Sequence, residues 1–297
     1  MEDHDHTTPA DDRFRPAIDP HTHLFPRRLA DAIRRALTEA EGWSFPHPTD
    51  REEIEAVLSA AGVSRYVALP YAHTTGLAVE LNDWLLEQAA DSEMLLPFAT
   101  VHPDDEHVDA IVRAAFEGGA YGLKIHCPVQ ECAPADPRIG PALEVACEYD
   151  RPVTYHAGTA PMFEDSPYVG ADVFEEVATS YRELRVCCAH MGAYQTERFL
   201  EFAREYENVY LDTTFTMSTH AGETMGFDPT SIPDETFVEL SGSIMYGSDF
   251  VNIPYPYREE RAGLLERDLP EDVYRDLFYR TAVQYLGLEA EEDGTDQ

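Results

Sequence analysis

Short apolar runs recur along most of this chain, each followed by a polar or glycine-rich turn and usually by a stretch with helical spacing. Eight such runs are found, at residues 16–19, 65–70, 94–101, 120–125, 151–155, 185–189, 208–212 and 243–247. Runs this short and continuously apolar are typical of strands buried on both faces of a parallel sheet. Eight strand–helix units in about 250 residues predict a single-domain α/β fold, the (β/α)8 TIM barrel.

The main alternative is an open, doubly wound sheet, which does not require eight similar units. No Gly-x-Gly-x-x-Gly or Walker-type loop follows any predicted strand, and this disfavours nucleotide binding. The barrel is expected to span residues 14–288. The acidic segments 1–13 and 289–297 are expected to be disordered tails.

The charge of the chain restricts its partners. It has 297 residues with 57 Asp plus Glu against 21 Lys plus Arg, a formal net charge of −36. Such a surface repels phosphate backbones and anionic lipid headgroups, so neither a nucleic acid nor a membrane partner is expected. No apolar run approaches the roughly eighteen residues of a membrane span, and the N-terminus lacks the apolar region of a signal peptide. A cytoplasmic location is therefore predicted.

The basic and sulfur-containing residues are also informative. Lys124 is the single lysine, and every other basic residue is arginine. High acidity with so little lysine is typical of a halophilic, salt-adapted protein, with an acidic protein from a GC-rich genome as the alternative. The five cysteines contain no Cys-x-x-Cys pair, which indicates reduced structural thiols. A metal site built on Cys127 and Cys132 would lack a second pair.

Histidines cluster after the predicted strands. Seven of the twelve histidines do so, namely His21, His23, His73, His102, His126, His156 and His190. Two carboxylates, Asp212 and Asp249, end the seventh strand and follow the eighth. A TIM barrel builds its site at the carboxyl ends of its strands, so these side chains are expected to converge on one rim.

The segment Asp19-Pro-His21-Thr-His23 carries the strongest single motif. Residues i and i+2 of a strand point the same way, so His21 and His23 can reach one metal together. Imidazole nitrogens suit zinc, and His156, His190 and Asp249 can complete the set. A lone histidine at a strand end is more often structural, and His-x-His also occurs at residues 4–6. The ordered combination over strands 1, 5, 6 and 8 is what favours a metal site.

That combination resembles the amidohydrolase superfamily, in its amidohydrolase-2 branch of metal-dependent hydrolases and non-oxidative decarboxylases. The resemblance runs from about residue 18 to 288, and its most specific pieces are IDPHTHLFP, VTYHAG, HMG, VYLDTTF and MYGSDF. It implies that His21, His23 and His156 are metal ligands and that Asp249 binds metal or takes a proton from water. It implies that His190 orients the water or stabilises substrate charge.

Lys124 ends strand 4, where binuclear members of the superfamily carry a carboxylated lysine that bridges two metals. The number of divalent ions, one or two, is therefore left open, and Zn²⁺ is the preferred metal. Lys124 is either a bridge between two metals or a substrate contact. Long loops after strands 5 and 7 are expected to shape the pocket. Pocket positions are assigned to five further residues, His73, His102, His126, His220 and Asp212.

Three functions are compatible with these residues. The preferred one is a metal-dependent hydrolase that uses a metal-activated water on a small amide, ester or lactone. The alternative is a decarboxylase of a small aromatic or unsaturated acid, which would need a cationic anchor. Only Arg138 and Arg258 are expected near the rim, and this favours the hydrolase. The third is a non-catalytic barrel that binds a metal or a metabolite. The expected partners are a small-molecule substrate and, on base rates alone, a second copy in a homodimer.

Overall fold

Eight parallel strands form one sheet in sequence order, so that each strand pairs with the next along the chain. The computed structural model describes residues 12–160 and 162–289. The strands are β1 (Ala17–Thr22), β2 (Val63–Ala68), β3 (Leu95–Thr100), β4 (Gly122–His126), β5 (Val153–His156), β6 (Val186–Cys188), β7 (Val209–Asp212) and β8 (Ile244–Met245). Each overlaps one of the apolar runs, and the predicted single-domain barrel is confirmed. Of the tails expected at 1–13 and 289–297, residues 1–11 and 290–297 lie outside the described residues.

Helices follow the strands and surround the sheet. They are α1 (Arg27–Glu41), α2 (Arg51–Ala61), α3 (Leu77–Ala90), α4 (Val108–Glu117), α5 (Cys127–Gln130), α6 (Gly140–Glu148), α7 (Ala171–Ser180), α8 (Thr196–Glu205), α9 (Ala221–Thr224), α10 (Asp234–Glu239), α11 (Arg258–Leu265), α12 (Glu271–Arg275) and α13 (Thr281–Leu286). A π-helical turn, Asp276–Arg280, joins α12 to α13. In the described part of the chain, no helix is long and apolar enough to cross a membrane.

Burial follows from the parallel topology. Seven strands are buried along their whole length, and only the start of β2 reaches solvent. On β4, Leu123 and Ile125 pack in the larger apolar cluster with residues of the surrounding helices. Because side chains alternate along a strand, Lys124 and His126 face the barrel interior. The interior is filled partly by α13, whose Tyr285 hydroxyl lies 2.8 Å from Thr154 Oγ1 on β5.

The barrel closes between its first and last strands at the level of the histidine motif. The backbone N–H of Asp249 donates to the carbonyl oxygen of His21 at 2.8 Å, and the N–H of His23 donates to that of Phe250 at 2.6 Å. A single bridge pairs Thr22 with Phe250. The closing contacts therefore lie beyond the two residues of β8, in the segment that carries Asp249.

Candidate metal centre

Two histidines from β1 are held by hydrogen bonds on one side of each ring. Nδ1 of His21 lies 2.9 Å from Oδ2 of Asp212, and Nδ1 of His23 lies 2.8 Å from the carbonyl oxygen of Leu69. Both rings are buried. An acceptor at Nδ1 fixes the tautomer and leaves Nε2 as the free lone pair, the usual arrangement of a metal-ligating histidine.

Asp249 completes a compact group with these histidines. Its Oδ1 lies 2.8 Å from Nε2 of His23, yet this buried oxygen has no hydrogen-bond partner among the described residues. Ligand atoms of His21, His23 and Asp249 all lie within 4.8 Å of one another. Two imidazole nitrogens and one carboxylate oxygen are a donor set that divalent transition metals accept. The residues present therefore fit a metal ion.

The protonation states suit a cation. Burial lowers the pKa of His21 to about 4 against the opposing effect of Asp212, so its imidazole is neutral near pH 7. Burial by itself raises the pKa of Asp249, but the neighbouring His23, His21 and His190 outweigh it and hold the pKa below its ordinary range. A neutral imidazole and an ionised carboxylate are the forms that bind a metal.

His156 and His190 form a chain of ring contacts beside this group. Nδ1 of His190 lies 3.3 Å from the carbonyl oxygen of Thr214, so it carries the proton there. Nε2 of His190 then accepts from Nδ1 of His156 at 3.1 Å. Nε2 of His156 is left as a buried lone pair with no hydrogen-bond partner in the described structure. His156 nevertheless lies outside the group of three ligand atoms.

Lys124 and His126 line the same cavity from β4. Lys124 is fully buried, and its Nζ has no hydrogen-bond partner among the residues described. Burial lowers the pKa of this amine, while Asp212 and Asp249 act in the opposite direction. The His126 ring stacks on His156 with centroids 4.3 Å apart and planes 9° apart. The lone lysine is thus an unpaired buried donor at the base of the cavity.

The other sequence-assigned pocket residues divide into two groups. His73 lines the cavity and is exposed. The remaining three do not line it. Asp212 lies buried behind His21; His102 Nδ1 lies 3.3 Å from the Thr75 hydroxyl oxygen; and the His220 ring stacks on Tyr255. Neither Arg138 nor Arg258 lines the cavity.

The cavity above the candidate ligands has a volume of about 330 Å³. One wall is the apolar face of α1, and aromatic rings form much of the rest. The α1 residues are Leu29, Ala32, Ile33, Ala36 and Leu37, and the aromatic residues are Trp43, Tyr71, Phe163 and Phe215. Phe163 and Phe215 come from the loops after β5 and β7, which the sequence predicted to shape the pocket.

Helix α1 and Trp43 were not predicted to be part of the site. A signal was present, because Leu29, Ile33 and Leu37 recur every four residues in an otherwise charged segment. That spacing indicates an amphipathic helix, although it does not show that the apolar face borders a cavity. Glu41 and Asn252 also line the cavity, but no sequence pattern indicated that they belong to the site.

This protein is an eight-stranded barrel in which two histidines and an aspartate lie together at the carboxyl ends of the strands. The fold and this donor set are typical of TIM-barrel proteins that bind a metal. The family model described as Amidohydrolase, of the amidohydrolase-2 branch, matches residues 18–288. The chain therefore belongs to the amidohydrolase-2 family. The sequence matches none of the curated proteins with which it was compared.

Solved structures share this fold at low sequence identity. An uncharacterized TIM-barrel protein from Bordetella bronchiseptica is 15% identical with a TM-score of 0.72, over 91% of this chain and 98% of that one. The 5-carboxyvanillate decarboxylase of Novosphingobium aromaticivorans, complexed with manganese and 4-hydroxy-3-methoxy-5-nitrobenzoic acid, is 16% identical with a TM-score of 0.61, over 93% and 97%. The 2,6-dihydroxybenzoate decarboxylase from Rhizobium is 14% identical with a TM-score of 0.60, over 92% and 99%.

Proposed function

We propose that this protein is a metal-dependent, non-oxidative decarboxylase of a small aromatic or unsaturated carboxylic acid. The observation that carries the proposal is the position of the candidate ligands His21, His23 and Asp249 at the base of a cavity with apolar and aromatic walls. A planar acid can place its ring against those walls and its polar end at the ligands. The named activities of the structural neighbours, carboxyvanillate and dihydroxybenzoate decarboxylation, support the same choice.

The sequence had favoured a hydrolase because only Arg138 and Arg258 were expected near the rim, rather than a cluster of arginines to anchor an acid. In the described part of the chain no arginine lines the cavity. A divalent metal, when bound, supplies the positive charge that holds carboxylate or phenolate oxygens. The missing arginine therefore does not count against an acid substrate. Zinc suits the imidazoles, and manganese is the ion named with the carboxyvanillate enzyme, so both are proposed.

The residues around the ligands have separate roles in this proposal. Asp249, held ionised, takes the proton of a substrate hydroxyl and delivers it to the ring carbon that bears the carboxylate. The bond from that carbon to the carboxylate then breaks, its electron pair returns to the ring, and CO₂ leaves. His190 fixes the tautomer of His156, whose free Nε2 lone pair can accept a hydrogen bond from a hydroxyl at the polar end of the substrate. Lys124 contributes a donor to the same end.

The test combines metal analysis with a substrate panel. The protein is purified in concentrated KCl, loaded with Mn²⁺ or Zn²⁺, and assayed for CO₂ release from hydroxybenzoic and unsaturated acids. The expected result is about one metal per chain, CO₂ release, and loss of turnover by at least roughly a hundredfold in Asp249→Asn. An exposed control, Asp83→Asn on α3, should retain activity.

Hydrolysis is the second candidate, favoured by the ionised Asp249 beside the group of ligand atoms. The same loaded protein is therefore assayed on esters, lactones and amides. Turnover of these compounds without CO₂ release from any acid would replace the decarboxylase by a hydrolase. Full metal loading with no turnover of either class would point instead to a binding protein.

A further inference from the structure

The cavity is polar at one end and apolar along its length. Apart from His73, the lining histidines lie with Lys124, Asp249 and Asn252 at the base of the cavity, on or directly after β1, β4, β5, β6 and β8. Opposite them, α1 presents Leu29, Ile33 and Leu37. Ala30 is the only described residue of α1 that is buried, so this apolar face borders the cavity more than it packs in the core. Water can form few hydrogen bonds with such an apolar wall. An apolar group of a ligand is therefore expected to bind there.

Charge is distributed unevenly along the cavity. Lys124 is the only cationic side chain among the described lining residues, apart from histidines, and it is fully buried at the base. Partly or largely exposed lining residues mark the mouth: Glu41, His73 and Met162. Glu41 is the one carboxylate there, next to Trp43. A second carboxylate on the ligand would meet Glu41 with no cation to offset it.

From this distribution we infer that the substrate is a monocarboxylic acid whose portion beyond the carboxylate and its neighbouring hydroxyl is neutral and apolar. Its carboxylate end lies at the candidate ligands, and an alkyl or ring substituent extends along α1 to Trp43. Glu41 acts as a specificity-determining residue that disfavours diacids. The inference deepens the proposed function and rests on it for the position of the acid group.

The apolar wall is tested by calorimetric binding to the Mn²⁺-loaded protein, which does not depend on turnover. The probes are 2-hydroxybenzoate and its 4-methyl, 4-butyl and 4-hexyl derivatives. Affinity is expected to rise by up to roughly fourfold for each added methylene until the cavity is filled. Ala36→Asp places a charge on the lining face and should weaken binding of the 4-hexyl compound by roughly tenfold or more, with little effect on 2-hydroxybenzoate.

A matched control exists on the same helix. Ala40 is exposed like Ala36 but does not line the cavity, so Ala40→Asp should leave the affinity for the 4-hexyl compound unchanged. Equal affinities for 2-hydroxybenzoate and the 4-hexyl compound would overturn the inference. An equal loss in both aspartate variants would also overturn it, because the effect would then not depend on the lining position.

The charge argument has its own matched pair. The probe is 2-hydroxybenzoate with a second carboxylate at position 4, which should bind at least roughly tenfold more weakly than the 4-methyl compound. Glu41→Gln should recover roughly three- to tenfold of that loss, whereas Glu39→Gln, exposed and outside the cavity, should recover none. Tighter binding of the diacid than of the 4-methyl compound would overturn the inference.

The two proposals fail in different ways. If alkyl acids bind in the predicted order while no acid releases CO₂, the decarboxylase is wrong and the shape and charge of the binding site stand. If CO₂ is released and affinity does not change with the alkyl group, the substrate class is wrong and the decarboxylase stands.

Discussion

The pairing of His21 with Asp212 shows how a residue outside the cavity acts on the site. Asp212 is buried, and its Oδ1 also accepts the backbone N–H of His190 at 3.0 Å. Burial alone would raise the pKa of this carboxyl, but contact with His21 outweighs it and holds the pKa below the ordinary range. One ionised group thus orients a candidate ligand on β1 and the loop that carries His190.

We expect Asp212→Asn to lower the affinity for Mn²⁺ by roughly 10- to 100-fold, because the negative charge that orients and polarises His21 is lost. Isothermal titration of the metal-free protein measures this, and circular dichroism verifies that the variant is folded. Asp83→Asn, on the exposed face of α3, serves as the control. An unchanged affinity in Asp212→Asn would show that His21 needs no carboxylate partner.

Asp19 is expected to make the stability of the fold depend on pH. Its carboxylate accepts hydrogen bonds from Ser248 Oγ at 2.6 Å, Tyr257 Oη at 2.9 Å and the N–H of His21 at 3.2 Å. Burial nevertheless raises its pKa from 3.8 to about 7. Between these two values the folded chain holds a proton that the unfolded chain releases, so this group makes folding less favourable as the pH rises from about 4 to about 7.

Asp19→Asn removes that dependence. The stability of the unsubstituted protein relative to the variant should fall by up to about 4 kcal/mol between pH 4 and pH 8, the free energy that corresponds to this displacement of the pKa. Urea unfolding of both metal-free proteins at several pH values measures the difference. A difference that stays constant with pH would mean that Asp19 is ionised throughout.

At the scale of elements, the loop after β7 is fixed by a buried carboxyl on α11. Glu260 Oε2 accepts the backbone N–H of Phe215 at 3.3 Å, and Oε1 contacts the hydroxyl of Tyr255. Burial raises the pKa of Glu260 well above its usual value and so favours its neutral form. Phe215 in turn stacks on Trp43 with centroids 5.5 Å apart. Glu260 therefore positions one aromatic wall of the cavity.

Glu260→Ala should lower the free energy of unfolding by about 1–3 kcal/mol, because buried partners are left unsatisfied. It should also shift the emission of Trp43, observed in a Trp84→Phe background, since Phe215 loses its support. Glu260→Gln has the shape of the neutral acid and should preserve most of both properties. Equal losses in the two variants would argue that the ionised form is the one present.

Strands and helices differ in how far the sequence predicts them. The eight strands could be predicted because parallel strands buried on both faces read as unbroken apolar runs, even for the two residues of β8. Helix α1 was not predicted as an element, since most of its residues are exposed and its apolar face borders a cavity rather than the core. The spacing of apolar residues indicates that a helix is amphipathic, but it does not indicate whether the apolar face contacts the core or a cavity.

The candidate site was only partly predictable. The strand period could place His21 and His23 on one side and bring Asp249 to the same rim. It could not show that His102 and His220 do not line the cavity, because their positions depend on the path of the loops that carry them. The proton arrangement of His156 and His190 depends on the carbonyl oxygen of Thr214, a contact that only the folded chain creates.

For the whole molecule, the net charge of −36 makes stability depend on salt. Arginines on the surface form close pairs, such as Arg113 with Glu148 at 2.7 Å and Arg204 with Glu239 at 2.9 Å. Basic residues number 21 against 57 acidic ones, so most carboxylates have no such partner and repel one another. This excess supports the proposal that the protein is adapted to concentrated salt.

We expect the thermal midpoint to rise strongly between about 0.1 and 1 M KCl, where the screening length falls from about 10 to about 3 Å. Differential scanning calorimetry measures the midpoint, and sucrose controls for effects of a cosolute that carries no charge. A midpoint that is the same at both salt concentrations would contradict salt adaptation.

The seam at which the barrel closes has a consequence for how the protein is made. His21 and His23 come from the first strand, whereas Asp249 follows the last, and the two segments are joined there by backbone hydrogen bonds. During synthesis, a chain that has emerged only as far as β7 carries two of these three groups. Capture of a metal by these three candidate ligands would therefore have to follow translation through Asp249, and a product truncated before Asp249 would be recognisable by its failure to retain the ion.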